Sequence, residues 1–248
     1  MNLSVMQPPP HYHAMPVPPV TVPHPWLCTT RLQLRELCWR DAEDLVRLHQ
    51  DPRLCALLVD APPLRQREAA LEFVRDMQGL YRGHPGLGTW LAHRLVALFT
   101  PEELADGELR GALTPQALQH LSLPRPQLAG WFSLMPMADR ADEVELGCRL
   151  LPSAWGQGLA IEGAEALLRH AFLALRRERV WAVCHPQHDA ARYGALCVGF
   201  EDLGVQPYGR VAARHFVLDR ATWLVHHMLP RRSRMRHALA QCDKPARL

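Results

Sequence analysis

The residues best suited to chemistry lie in the stretch "AWGQGLAIEGAE" at 154–165, where Gly156 and Gly158 flank Gln157 just before a helix begins. The first N–H groups of a helix have no partner within it, and the helix dipole makes that end attractive to anions. Glycine there lacks the Cβ that would hold a phosphate away. The N–H groups of Gln157, Gly158, Leu159 and Ala160 are therefore candidates to close on a pyrophosphate. A plain strand-to-helix turn would use the same glycines, so the pair alone does not decide. A dinucleotide-binding fingerprint fails on spacing: Ile161 stands where a third glycine is needed, and Pro152 to Trp155 separate the glycines from the preceding strand. Upstream, Glu143 and Glu145 are two residues apart and share one face of a strand. A strand carboxylate is by default a solvated edge group or the partner of an arginine such as Arg149.

These residues need elements to position them. "TTRLQLREL" at 29–37 alternates apolar and polar residues as a half-buried strand does. "WRDAEDLVRLHQDPRL" reads as a helix with Asp41 where a cap would stand and an apolar stripe of Leu45, Val46 and Leu48. Pro62 and Pro63 break the chain, and helical spacing resumes over 64–82. Strands are expected at 88–95, 127–135, 143–151 and 179–186, and "RHFVLDR" at 214–220 closes the sheet. Helices are expected from Gly158 through Leu175, with apolar residues spaced by three and four, and over 188–198. Residues 97–126, with "TPEE" and "TPQA" resembling helix starts, form an insertion between two strands of a hairpin.

Three segments frame the chain. Residues 1–26 hold eight prolines and no charged residue, the composition of a disordered proline-rich leader. Residues 27–228 make one domain, and 229–248 form a basic tail carrying Arg231, Arg232, Arg234 and Arg236. Such a tail is ordinarily a solvated run, though it could touch RNA. With 248 residues, 48% hydrophobic and 21% charged, the chain is ample for a core. The net charge of +3 does not by itself call for nucleic acid. Seven cysteines without a C-x-x-C pair argue against a disulfide framework or a zinc site, and point to a cytoplasmic protein with reduced thiols. No apolar run reaches the ~18 residues of a membrane span, and His11, His13 and His24 are not read as a metal site.

The run "ELGCRLLPSAWGQGLAIEGAEALLRHAF", preceded by "TTRLQLREL" and followed by "HPQHDAARYGALCVGF", resembles the GNAT superfamily of acyl-CoA N-acyltransferases, in the branch of the ribosomal-protein-alanine acetyltransferases. The resemblance covers about residues 28–225 and is strongest at 143–172. It implies an α/β fold with a mixed central sheet, splayed at the cofactor site, and helices on both faces. Acetyl-CoA would be the acyl donor, with no metal. Its pantetheine would pair with backbone at Leu150 and Leu151, and its pyrophosphate would rest on Trp155, Gly156, Gln157, Gly158, Leu159 and Ala160, near His188. The partner would be a primary amine, on a small molecule or a protein N-terminus; a homodimer is compatible with such a domain. The resemblance makes Glu145 the general base, since an ammonium must lose a proton before it attacks, with Glu143 and His93 as substitutes. The family's Pro-x-Asn with a later serine is replaced at His188 and Ala191. Its tyrosine acid is replaced by Ala195, so Tyr193, His188 or a water takes that part. Cys148 is expected to be filling rather than a nucleophile, which favours direct transfer in a ternary complex. Two other readings remain open at this point: an acyl-CoA-binding regulator without catalysis, and a ribosome- or RNA-associated protein that uses the arginine tail.

Overall fold

The computed structural model describes residues 26–59, 64–97, 107, 114, 123–137 and 140–242. The proline-rich leader, except Trp26, and most of the 97–126 insertion lie outside these residues.

The chain runs β1 (Leu27–Cys28), β2 (Leu32–Glu36), α1 (Ala42–Gln50), α2 (Pro52–Cys55), α3 (Arg67–Gly83), β3 (Gly88–Val96), β4 (Arg125–Met137) and β5 (Arg140–Leu150). It continues through α4 (Leu159–Arg169), β6 (Arg179–Cys184), α5 (Asp189–Cys197), β7 (Glu201–Tyr208), β8 (Val211–Asp219), α6 (Arg220–His227) and α7 (Arg231–Cys242). One eight-stranded sheet has the order β1-β2-β3-β4-β5-β6-β8-β7. Every neighbouring pair is antiparallel except β5 and β6, which are parallel because α4 crosses over between them.

Two cores cover the two faces of the sheet, as strand alternation requires. On one face α4 packs through Leu159, Ala164, Leu167 and Leu168 against Phe132, Leu134, Val144 and Leu146. Gly163 lets this helix approach, since a Cβ there would run into the Phe132 ring. On the other face α1 and α3 cover β3 and β4 through Leu45, Leu48, Val74 and Met77 against Leu91 and Trp131. The hairpin expected around 97–126 is present as β3 paired with β4.

Several local readings change. The strand expected over 29–37 is confined to Leu32–Glu36, and Thr29–Arg31 form a turn that joins it to the short preceding strand Leu27–Cys28. Asp41 makes no side-chain cap to α1. Its carboxylate instead accepts from the Cys38 N–H at 2.8 Å and holds Arg35 at 2.6 and 2.7 Å. Strand β7 and helices α6 and α7 have no counterpart among the expected elements. The arginine-rich segment is not merely a solvated run: α7 rests on α5, Ala238 is fully buried, and Arg234 reaches Glu165 of α4 at 2.5 Å.

Candidate active site

Strands β5 and β6 are in register over only three residues, Glu143–Glu145 against Arg179–Trp181, and pairing then stops. Beyond that point β5 stays with β4 while β6 stays with β8, so the sheet opens as a V. The Leu151 N–H donates to the Ala129 carbonyl on β4 at 2.8 Å. By alternation, the backbone groups of Leu146, Cys148 and Leu150 then turn towards the V. Of these, the Leu150 carbonyl already accepts the Trp155 indole N–H at 2.7 Å, which pins the following loop to the strand. Among the residues expected at the pantetheine, Leu150 thus lines the V while the Leu151 amide is engaged with β4. A β-bulge on β4 helps to set this geometry: Gly130 has φ +142°, and a Cβ there would collide with the Arg149 carbonyl.

At the wide end of the V lies the glycine loop. Gly156 and Gly158 both have φ +72°, the left-handed region that glycine tolerates best. Gly158 is the N-cap of α4 and offers no side chain to the helix, so the first-turn N–H groups are open. Arginines from three remote segments surround the loop. Arg31 donates to the Gln157 carbonyl at 2.8 Å and pairs with Glu162 at 2.7 Å. Arg94 donates to the Gln157 side-chain oxygen at 3.1 Å. Arg231 of α7 places an Nη 3.5 Å from where a Gly158 Cβ would sit, and Arg31 places one 3.8 Å from it. The nearest carboxylate, Glu162, is occupied by Arg31 and by the Thr29 hydroxyl at 2.5 Å. Amides, a helix dipole and guanidinium groups converge, which fits a phosphate group well. The sequence expectation named the glycines for this loop but did not place Arg31, Arg94 or Arg231 beside them. His188 caps α5 near the same end, accepting from the Ala191 N–H at 3.4 Å, and burial together with His185 holds its pKa low.

At the narrow end, Glu145 lies beside Trp181 on the face that carries α1 and α3, outside the area those helices cover. Its carboxylate accepts from the Tyr208 hydroxyl at 3.3 and 3.4 Å. Glu143, on the same face, is tied down: it accepts from the Trp181 indole at 2.5 Å, Arg140 at 3.1 Å and Arg179 at 3.3 Å. Burial pushes its pKa up, but the indole and Arg140 outweigh this and hold it below the usual carboxylate range. His93 sits on β3, separated from β5 by β4, with its pKa lowered by burial and by Arg35. Tyr193 is on the opposite face, in the packing of α5 with Ile161 and Met235. Its hydroxyl bonds Cys197, and that bond followed by burial raises its pKa. The fold therefore does not bring Tyr193 to Glu145. Cys148 is an exposed residue on the α4 face of β5, opposite Phe132, and desolvation pushes its thiol up to about 12. A thiol so protonated at neutral pH is a poor nucleophile. Among the described residues no cluster of His, Cys, Asp and Glu could hold a metal, and no helix is long and apolar enough to cross a membrane.

Comparison with known proteins bears on this arrangement. Residues 31–201 match the model of the acetyltransferase (GNAT) domain. A curated relative, the FsC-acetyl coenzyme A-N(2)-transacetylase of Aspergillus fumigatus, is 28% identical over 155 residues, 60% of this chain and 53% of that protein. The match thus spans about half the length of this relative. Mycobacterium smegmatis RimJ, solved in complex with CoA-disulfide, has a TM-score of 0.55 at 13% identity, covering 84% of this chain and 88% of that one. RimL, the ribosomal L7/L12 alpha-N-protein acetyltransferase solved with coenzyme A, has a TM-score of 0.56 at 15% identity, covering 77% and 95%. At such identities these structures speak for the fold. The family model spans well over half of the sequence, and the chain belongs to the GNAT acetyltransferase domain family.

Proposed function

We propose that this protein is an acetyl-CoA-dependent N-acetyltransferase that moves the acetyl group directly to a primary amine. The observation that carries this reading is the V between β5 and β6, with a cationic glycine loop at its wide end and an accessible carboxylate, Glu145, at its narrow end. The loop amides with Arg31, Arg94 and Arg231 would hold the phosphates of the donor. The edge of β5 beyond its three-residue pairing with β6, at Cys148 and the Leu150 N–H, would take the pantetheine. Glu145 would accept the proton of the incoming ammonium, directly or through a water, leaving a neutral amine to attack the thioester carbonyl. The carbon–sulfur bond breaks, and the thiolate leaves with a proton delivered from solvent or a neighbouring group. The raised pKa of Cys148 supports transfer without an acyl-cysteine stage.

For the acceptor, the names of two similar proteins describe acetylation at nitrogen, one at an N(2) position and one at a protein α-amine. Both suit a primary amine. The test is mass spectrometry of a panel incubated with the protein and acetyl-CoA: peptides with a free α-amine, spermidine, an aminoglycoside and free amino acids. Expected is a mass gain of one acetyl group on at least one member, with thiol released in step. Tight acetyl-CoA binding with no thiol release from any member would instead mark a regulator that binds the donor only. With the best acceptor, Glu145→Gln is expected to lower kcat by about 10²-fold or more with the KM for acetyl-CoA little changed. Retention of most activity would remove Glu145 from the role of base.

A further inference from the structure

The sheet order separates Glu145 on β5 from Tyr208 on β7 by two strands, β6 and β8. In a flat sheet three strand spacings amount to about 14 Å, more than the two side chains span together. Their oxygen atoms are nevertheless 3.3 and 3.4 Å apart. The β7–β8 hairpin therefore curls over the face that carries Glu145 and delivers a phenol to it. Behind the phenol, the ring of His215 on β8 meets Tyr208 edge-on, with centroids 5.9 Å apart and an interplanar angle of 69°. The His215 Nε2 is buried without a hydrogen-bond partner among the described residues, so the ring's contact with Tyr208 is one of packing. The ionisable groups on this face include Glu143, already held by Arg140 and Arg179, Asp219 opposite Arg179 on β8, Arg149 with its partner His49 of α1 at 2.6 Å, and Tyr208 and His215 of the hairpin.

We propose that Tyr208 is the positioning residue of the acyl-transfer site: its hydroxyl, braced by His215, fixes the rotamer of Glu145 and favours its ionised form. This rests on the assignment of Glu145 as base. A phenol donating to a carboxylate stabilises the charged state over the protonated one, and a bond to both oxygens restricts the torsions that would swing the carboxylate out of line.

The test uses the full chain with Tyr208→Phe, Glu145→Gln and the double variant. Phenylalanine keeps the ring against His215, so the melting temperature is expected within a few degrees of the parent. Carbon-13 labelling of glutamate carboxyls, with the residue-145 signal identified by its loss in Glu145→Gln, reads the base without any acceptor. In Tyr208→Phe its titration midpoint is expected to move to higher pH by about one unit. In turnover with the best panel amine, kcat is expected to fall about 10-fold, with an unchanged acetyl-CoA KM and an acidic limb displaced to higher pH. The double variant should be no slower than Glu145→Gln alone, because Tyr208 acts through that carboxylate. An unmoved midpoint and an unmoved acidic limb in Tyr208→Phe, with Glu145→Gln inactive, would overturn this proposal and leave the base assignment standing. An active Glu145→Gln would overturn both. A double variant slower than Glu145→Gln by the full Tyr208→Phe factor would also overturn it, because the two residues would then act independently.

Discussion

Substituting Gly158 by alanine separates two things that glycine does in the loop. Gly158 has φ +72°, and an L-residue held in that region costs about 1–2 kcal/mol. There is room for the methyl group itself: the nearest atoms would be the Arg231 and Arg31 guanidinium nitrogens, at 3.5 and 3.8 Å, ordinary contact distances. The methyl would therefore sit between the two cations, on the space where an anion would meet them. Gly204 supplies the control. It has φ +80°, nothing within 4 Å of its Cβ position, and a place on β7 remote from the loop. Gly158→Ala and Gly204→Ala should lose similar stability, about 2–4 °C in melting temperature per kcal/mol for a chain of this size. Only Gly158→Ala should lose acetyl-CoA affinity, by at least ~10-fold or about 1.4 kcal/mol. Scanning calorimetry reads the first quantity and isothermal titration the second. Equal affinities in the two folded variants would refute the assignment of the loop to the phosphates.

Three further expectations concern stability. Trp26 stacks on Trp90 with ring centroids 4.2 Å apart, so a chain beginning at Leu27 should melt below one beginning at Trp26, by about 2 kcal/mol in chemical denaturation, part of the cost of deleting a fully buried tryptophan. Asp202 holds Arg192 at 2.8 Å and Arg214 at 2.9 Å with all three side chains largely buried, so Asp202→Asn should cost about 3–5 kcal/mol in urea unfolding, because two guanidinium groups lose their charge partner. Burial raises the Asp202 pKa, but the hydrogen bonds from Arg192, Gly204 and Arg214 outweigh it and leave the pKa lowered; the net shift of Asp41 is also downward. A depressed carboxylate contributes stability above its unfolded pKa of about 3.9, and that contribution is lost as pH falls through the folded value. The melting temperature should therefore drop steeply below about pH 4, and Asp202→Asn should flatten that drop.

What the sequence disclosed, and what it concealed, follows the range of the forces involved. Alternation, glycine placement and helical spacing act over a few residues, and strands β3, β4, β5 and β6 and helix α4 were legible from them. The arginines around Gly158 were not. Arg31 reaches Gln157 across 126 positions and Arg94 across 63, and no local pattern announces such pairings. Helix α7 was hidden because it lacks an apolar stripe; Ala238 and Met235 pack it on α5, the Arg234–Glu165 pair ties it to α4, and Arg192 donates to its Gln241 and Cys242 carbonyls. Strand β7, "EDLGVQPY", reads as a loop for its glycine and proline. It survives as an edge strand with a register shift between Asp202 and Val205, where Pro207 can be tolerated. The same composition concealed Tyr208, the residue that meets Glu145.

The glycine loop gathers side chains from near both ends of the described residues: Arg31 from the turn after β1 and Arg231 from the start of α7. This imposes an order on assembly. During synthesis the loop and the N-terminus of α4 emerge long before Arg231 does, and α7 has no surface on which to settle until α5 is in place beneath it. The set of cations around Gly158 is complete only when the last helix docks. A nascent or C-terminally clipped chain thus carries the glycines without their full electrostatic surroundings, and maturation of the loop becomes a late event in folding.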